Sequence, residues 1–171
     1  MKTKIVCLMG KSSTGKDTIL GRLFSEQKLK MKKVVPYTTR PIRVNEENGV
    51  DYFFVSEEEF QTLQKENKII EERAYDTVHG IWRYFTVNDE QFQDTSMDIC
   101  IVGTLEVYES LCRYFGKEVI VPVLIDLEDG ERLTRALERE KKQVQPKFQE
   151  LCRRFLADAE DFSEENLRNA V

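Results

Sequence analysis

The sequence has little of what metalloproteins, disulfide scaffolds and membrane proteins are built from. It holds one histidine, His79, and four cysteines, Cys7, Cys100, Cys112 and Cys152, at no paired spacing. A metal cage draws on several such ligands at short intervals, so none is expected, and the cysteines read as buried thiols rather than ligands or disulfides. No apolar run approaches the roughly 20 residues of a membrane span. The first apolar run, Ile5 to Met9, is too short for the core of a secretory signal, and the expected location is cytoplasmic. Positive charge is in the minority: 26 lysines and arginines face 31 acidic residues, a formal net charge of −5. That balance argues against general affinity for nucleic acid.

What is present describes a soluble globular chain. With 40% hydrophobic and 33% charged residues, 171 residues suffice for one α/β domain with a substantial core. Positive charge is clustered: Lys28, Lys30, Lys32, Lys33, Arg40 and Arg43 form one block, and Arg132, Arg135 and Arg139 another. An acidic protein with local basic clusters suits a small phosphorylated ligand better than a polyanion.

The apolar pattern predicts the elements. Lys4 to Met9 reads as a buried strand and Lys16 to about Gln27 as a helix carrying Ile19, Leu20, Leu23 and Phe24. Val34-Val35 begins a second strand that Pro36 halts, and Tyr37 to about Val50 is loop or hairpin. Ser56 with Glu59 three residues on is a capping box for a helix to about Asn67. Ile69-Ile70-Glu71 is a strand, and Asn88 caps a further helix start with Gln91 reaching back. Asp98 to Gly103 is a strand, Leu105 to Phe115 a helix, and Val119 to Ile125 a central strand. A helix carrying Leu133, Ala136 and Leu137 follows, and then a last one from about Pro146 to Asp161. Strands alternating with helices imply a mostly parallel sheet covered on both faces, interrupted by an insertion over 37 to about 87.

Gly10-Lys11-Ser12-Ser13-Thr14-Gly15-Lys16 fits the G-x4-G-K pattern, with the strand before and helix after that it requires. The glycines let the backbone turn so that successive N–H groups face phosphate oxygens, and the helix N-terminus adds partial positive charge. Lys16 bridges the terminal phosphates. The plain alternative is a glycine-bounded βα turn. Loops of this spacing mostly place Ser or Thr after the lysine, where its hydroxyl meets Mg²⁺; here Asp17 stands there and Thr18 follows. A carboxylate near triphosphate oxygens is repelled unless a cation intervenes. Either Asp17 points away, or it helps to hold Mg²⁺, a hard ion.

The insertion carries a resemblance. "YTTRPIRVNEENGVDYFFVSEEEF", Tyr37 to Phe60, resembles the monophosphate-binding lobe of guanylate kinases, with TTR-x-P-R followed by (V/I)DY-x-FV-S-x-x-EF. Arg43 falls three residues after Arg40, and Asp51-Tyr52, Phe54-Val55, Ser56 and Glu59-Phe60 all match. "IIEERAY" is similar to the family strand with a guanine-reading glutamate, best matched by Glu71, with Glu72 the neighbouring choice. "WRYFT" resembles the Tyr-Gly-Thr/Ser segment, placing Tyr84 and Thr86, with Phe85 instead of glycine. The helix from Asp129 looks like the lid, where Arg135 and Arg139 match two arginines, and Arg154 matches a third.

The resemblance implies a P-loop NTPase fold, three-layered α/β with an inserted lobe and a helical lid. Residues 1–171 would form one domain: core 1–36, 87–126 and 146–171, lobe 37–86, lid 127–145. It implies transfer of the γ-phosphoryl of MgATP to GMP or dGMP. ATP would be held by Gly10 through Thr18, with Asp17 a metal candidate, and GMP by Arg40, Arg43, Tyr52, Glu71, Tyr84 and Thr86. Lys16, Arg135, Arg139 and Arg154 would be catalytic. The chemistry agrees. A monophosphate dianion suits two arginines with two tyrosine hydroxyls, and a carboxylate accepts the N1–H and N2–H₂ of guanine and repels adenine. Arg132, Arg135 and Arg139 share one helix face, suited to a phosphoryl group in flight; the plain reading is a solvated face interleaved with Glu131 and Glu138. Two rivals stand beside this one: a kinase for another monophosphate, and a retired, non-catalytic binding module.

Three departures stand out. Pro36 replaces a serine that touches the base, Val102-Gly103-Thr104 replaces D-(I/V)-D, and Asp17 replaces Ser or Gly. Asp17 would return to the metal site a carboxylate missing at Val102. The family continues from the last helix into a strand with an Asn-Asp pair, whereas this sequence ends at Val171.

Overall fold

The computed structural model describes residues 3–25, 30–43, 46–77, 80–94 and 96–170. The first strand, β1 (Ile5–Met9), is apolar throughout because both its faces are covered. Ile5, Cys7 and Met9 enter one core cluster, while Val6 and Leu8 enter a second on the opposite face. That two-residue period is strand geometry. Behind the second cluster lies α1 (Lys16–Ser25), which buries Leu20.

Next in the chain come β2 (Met31–Lys33), then β3 (Tyr37–Thr38) and β4 (Phe53–Phe54), which pair in parallel. The expected strand at Val34-Val35 thus lies three residues earlier. Val34 still donates to the Cys100 carbonyl at 3.0 Å. Val35, however, gives its N–H to Gln91 Oε1 at 2.7 Å and takes Gln91 Nε2 on its carbonyl at 3.2 Å. A side chain has replaced the ladder there.

The capping box is as read: α2 (Glu57–Lys65) starts at Ser56 with both reciprocal bonds to Glu59 made. After it, β5 (Ile69–Thr77) and β6 (Gly80–Val87) form a long antiparallel pair. Only the start of β5 was expected. β6 was not expected because Arg83 and Thr86 interrupt its apolar run, although Phe85 and Val87 enter a core cluster with Phe60. α3 (Glu90–Gln93) is capped by Asp89, whose carboxylate accepts the Gln91 N–H at 2.9 Å. Asn88 is therefore not the cap; the Gln91 side chain does reach back, but to the Asp89 carboxylate at 3.1 Å, while also engaging Val35.

β7 (Asp98–Gly103) and α4 (Leu105–Phe115) fall where the sequence placed them, with Thr104 capping α4. β8 (Ile120–Leu124), α5 (Asp129–Lys141), α6 (Phe148–Asp161) and α7 (Glu164–Ala170) complete the chain. The first cluster is covered by α4, through Leu105, Val107, Tyr108 and Leu111, and by Leu167 and Ala170 of α7, a helix the sequence reading did not anticipate. The parallel sheet in order β2-β7-β1-β8 is thus the middle of three layers.

β8 was expected at the centre of the sheet. Among the described strands it lies at the edge, with Val121 and Leu124 38% and 43% exposed. Pro122, which lacks an N–H, is tolerated at such a position. A second sheet, order β4-β3-β6-β5, carries the insertion. Cys7 and Cys100 are buried as expected, and burial pushes their thiols up to about 12 and about 11. Cys152 is exposed instead. No helix among the described residues is long and apolar enough to cross a membrane.

Candidate active site

The loop between β1 and α1 is shaped by its glycines. Gly10 and Gly15 have φ of +155° and +92°, and a Cβ on Gly10 would collide with the Ile125 carbonyl oxygen. Ser13 adopts φ +65° without the freedom of glycine, a left-handed conformation that costs about 1 kcal/mol. Thr14 is buried and ties its hydroxyl to the Lys11 carbonyl at 2.9 Å. Lys16 folds over the same turn, donating from Nζ to the Gly10 and Lys11 carbonyls at 2.5 and 2.8 Å. Burial lowers its pKa, while Asp158 and Asp17 pull it back up. Asp17 and Thr18 are exposed in the first turn of α1. One exposed carboxylate and one hydroxyl beside a phosphate loop match the way Mg²⁺ is held, by one or two protein groups plus substrate phosphates. Thr104 is occupied as a cap, its Oγ1 accepting the Val107 N–H at 3.4 Å.

Around the loop lie the arginines of α5 and α6. Arg139 donates to Ser13 Oγ at 3.3 Å, and Arg135 reaches over Gly15, where a Cβ would sit 3.7 Å from its Nη1. Arg135 is held at its other edge by Glu131 at 3.0 Å. Arg154 shares a narrow crevice with Ser12, Ser13 and Arg139. Arg132 departs from the expected stripe. Its side chain is 1% exposed, packed against the Phe155 ring and paired with Asp129 at 2.7 Å and Asp158 at 3.4 Å. The stripe therefore divides by burial: Arg135 and Arg139 lie exposed over the loop, while Arg132 is buried between the loop and α6.

The second sheet presents two faces. On one, Arg83 bridges Glu57 and Glu72, and Phe85 packs against Phe60. On the other stand Glu71, Arg73 and Tyr75 of β5 opposite Thr86, Tyr84 and Trp82 of β6. Glu72 and Glu71 thus point to opposite sides, and Glu71 is the one beside Thr86. Glu71 is 7% exposed, with Oε1 accepting from Thr86 at 2.8 Å and Oε2 from Arg73 Nε at 3.2 Å. Burial raises its pKa; Arg73 and Thr86 oppose that, and Glu106 in the first turn of α4 adds to it.

Further along this face, Arg40 is 3% exposed and donates from Nε to the Tyr84 hydroxyl at 3.1 Å. Tyr52 crosses Tyr84 edge-on at 5.7 Å between ring centroids and lies over the Arg40 guanidinium. Glu46 grips the Arg40 fork at 2.6 and 2.7 Å and also accepts the Arg43 N–H at 2.9 Å. The Arg40 side chain drives the Glu46 carboxyl down to about 2. With Pro41 also accepting from Nη1, Arg40 keeps at most one of five N–H groups for a ligand. The Arg43 side chain is exposed.

A family model described as guanylate kinase matches residues 2–97, more than half of the chain. The chain belongs to the guanylate kinase family. It is similar to a guanylate kinase of Caldanaerobacter subterraneus subsp. tengcongensis, 29% identical over 93% of this chain and 73% of that protein. Guanylate kinases of Mycoplasma mobile and Schizosaccharomyces pombe are 52% and 34% identical over shorter matches, 40% and 64% of this chain. The chain spans only 34% and 55% of the length of those two relatives. A crystal structure of guanylate kinase from Anaplasma phagocytophilum superimposes with a TM-score of 0.62 at 22% identity, over 97% of this chain and 73% of that one. That likeness carries the P-loop NTPase fold.

Set on a guanylate kinase fold, the expected residues fall into two groups. The loop with Lys16, Arg135, Arg139 and Arg154 makes one, and Arg40, Tyr52, Tyr84, Glu71 and Thr86 on one sheet face make the other. Arg73, Asp158 and Glu46 were missed. The first lies two residues from Glu71, so strand alternation could have found it. Asp158 meets the loop from 146 residues away, and nothing local signals that.

Proposed function

We propose that the chain is an ATP-dependent nucleoside monophosphate kinase that transfers the γ-phosphoryl of ATP to GMP or dGMP, giving ADP and GDP or dGDP. One observation carries this reading. A single sheet face gathers a buried carboxylate with a hydroxyl at one end and an arginine with two tyrosines at the other, Glu71–Thr86 and Arg40–Tyr84–Tyr52. That is a base-reading end and a phosphate-holding end on one rigid element.

Lys16 and the loop from Gly10 to Thr18 hold the donor phosphates. Tyr52 and Tyr84 present hydroxyls to the acceptor phosphate, Arg40 fixes Tyr84, and Arg43 brings its exposed guanidinium to the same anion. Glu71 accepts the N1–H and N2–H₂ of guanine, and Thr86 orients Glu71. Arg135, Arg139 and Arg154 neutralise charge on the phosphoryl group as it passes, the main catalytic demand of a reaction with little covalent chemistry. Asp17 would hold Mg²⁺ together with the phosphates, and the ion would supply further neutralisation of charge. We read 37–86 as the lobe and 127–145 as the lid, closing on a core of 1–36, 87–126 and 146–171 and excluding water from the transfer. The setting is cytoplasmic.

A coupled ADP-release assay with MgATP and GMP, dGMP, AMP, CMP, UMP and dTMP tests this, with Lys16→Ala as blank. Lys16-dependent turnover confined to GMP and dGMP is expected. Turnover with another base replaces the acceptor, and no turnover with any acceptor refutes the kinase.

A further inference from the structure

Arg73 has no part in the scheme above, yet it stands at the base-reading end. It follows Glu71 by two residues on β5, so both side chains project from the same face. Its Nε donates to Glu71 Oε2 at 3.2 Å, while Thr86 Oγ1 donates to Oε1 at 2.8 Å. Across this edge the order of groups is therefore hydroxyl, Oε1, Oε2, guanidinium. A guanidinium bonded through Nε still carries four N–H donors on its two Nη atoms, and the Arg73 side chain is 24% exposed.

Guanine presents, in order along its Watson–Crick edge, N2–H₂, N1–H and the O6 carbonyl: two donors and then an acceptor. With N2–H₂ on Oε1 and N1–H on Oε2, O6 falls beside the group that flanks Oε2. We infer that Arg73 donates to guanine O6 and is a specificity-determining residue for the base. The inference rests on the reading of this face as a GMP site.

Adenine carries an amino group in place of O6 and a lone pair at N1. Against this edge it sets donor to donor and acceptor to acceptor. Pro36 offers no side-chain N–H or O–H, and the Thr104 hydroxyl is engaged as a helix cap. Arginine paired with a guanine carbonyl is also a favoured combination in base recognition generally.

Isothermal titration of wild type, Arg73→Ala and Arg73→Lys with GMP, IMP and AMP tests the assignment. IMP keeps O6 and N1–H but lacks the 2-amino group. Arg73→Ala is expected to weaken GMP and IMP by the same factor, about tenfold, leaving their ratio unchanged and AMP no weaker. Arg73→Lys, which retains a donor, recovers part of the loss. A GMP affinity that is unchanged or tighter in Arg73→Ala overturns the inference, because Arg73 then only neutralises or blocks Glu71. A changed GMP to IMP ratio overturns it as well, because the arginine then acts on the 2-amino end. Arg73→Gln carries the same comparison if the alanine variant does not fold. Wild type that fails to bind GMP refutes the GMP reading itself, an outcome separable from any effect of Arg73.

Discussion

The Asp158 carboxylate accepts the backbone N–H of Ser12 at 2.7 Å, binding the last turn of α6 to the loop after β1. Arg132 takes the other side of the same residue, donating to the Ser12 carbonyl at 3.0 Å. A trans peptide points its C=O and N–H in opposite directions. Drawing the Ser12 carbonyl toward Arg132 therefore turns the Ser13 N–H the other way, toward the mouth of the loop in this reading of the site.

Removing one side of this clamp leaves a buried charge poorly matched. Arg132→Leu is expected to destabilise the fold by about 3 kcal/mol. The double change Arg132→Leu with Asp158→Ala should cost less than the sum of the two singles, since it removes both charges. Urea unfolding of the three variants measures this, and strict additivity would contradict the coupling.

Within the loop, two backbone positions give opposite outcomes. Gly10→Ala drives a Cβ into the Ile125 carbonyl and is expected to cost about 3 kcal/mol and to abolish nucleotide binding. Ser13→Gly relieves a left-handed φ of +65°. Its gain, set against the added freedom of the unfolded chain, should be about 0.5 kcal/mol. Thermal melts with and without ATP separate the two effects.

Glu71 should set stability against function. Its pKa is raised in the fold, chiefly by burial, so the fold favours its protonated form. The stabilisation is fully present below the ordinary pKa of 4.5 and is lost as pH rises through the raised value. Glu71→Gln should therefore melt higher than wild type at neutral pH and equal to it near pH 4. Binding runs the other way. The ionised carboxylate is what accepts the base, so GMP affinity should climb with pH through the raised pKa, which Arg73 and Thr86 hold down and Glu106 pushes further up. Calorimetric titration between pH 4 and 8 tests both arms.

Glu46 titrates in the opposite sense. Arg40 holds its carboxyl down at about 2. The stability it contributes is present above the ordinary 4.5 and disappears as pH falls toward 2. Glu46→Gln should flatten that part of the acid-unfolding curve and loosen Tyr84 through Arg40, raising KM for GMP several-fold. An unaltered acid transition would count against the pair.

Arg139 touches Ser13 and, in our reading, the phosphoryl group only in flight. Arg139→Ala should lower kcat by about 10²-fold with little change in the KM of either substrate. A rise in KM alone would make it a ground-state contact.

Several features were legible from local pattern. The capping box at Ser56, the strand at Asp98–Gly103 and the helix at Leu105–Phe115 depend on neighbours within a few residues. β6 and the cap at Asp89 were not legible, because polar residues interrupt the apolar pattern of the first and the second is chosen by what Gln91 does across the fold. The seven residues from Gly10 to Lys16 needed only their own glycines and the helix behind them, and the TTR to DY-x-FV spacing named the family before any coordinate did.

By itself, then, the sequence determined the phosphate loop, the family and the alternation of strands and helices, since each is written in residues close together along the chain. Only the tertiary structure decided that Arg132 is buried between the loop and α6 while Arg135 and Arg139 stay exposed over the loop, that β8 lies at an edge, and that Asp158 grips Ser12. Those outcomes depend on which side chains meet across more than a hundred residues, where burial and charge pairing choose the partner and periodicity carries no information.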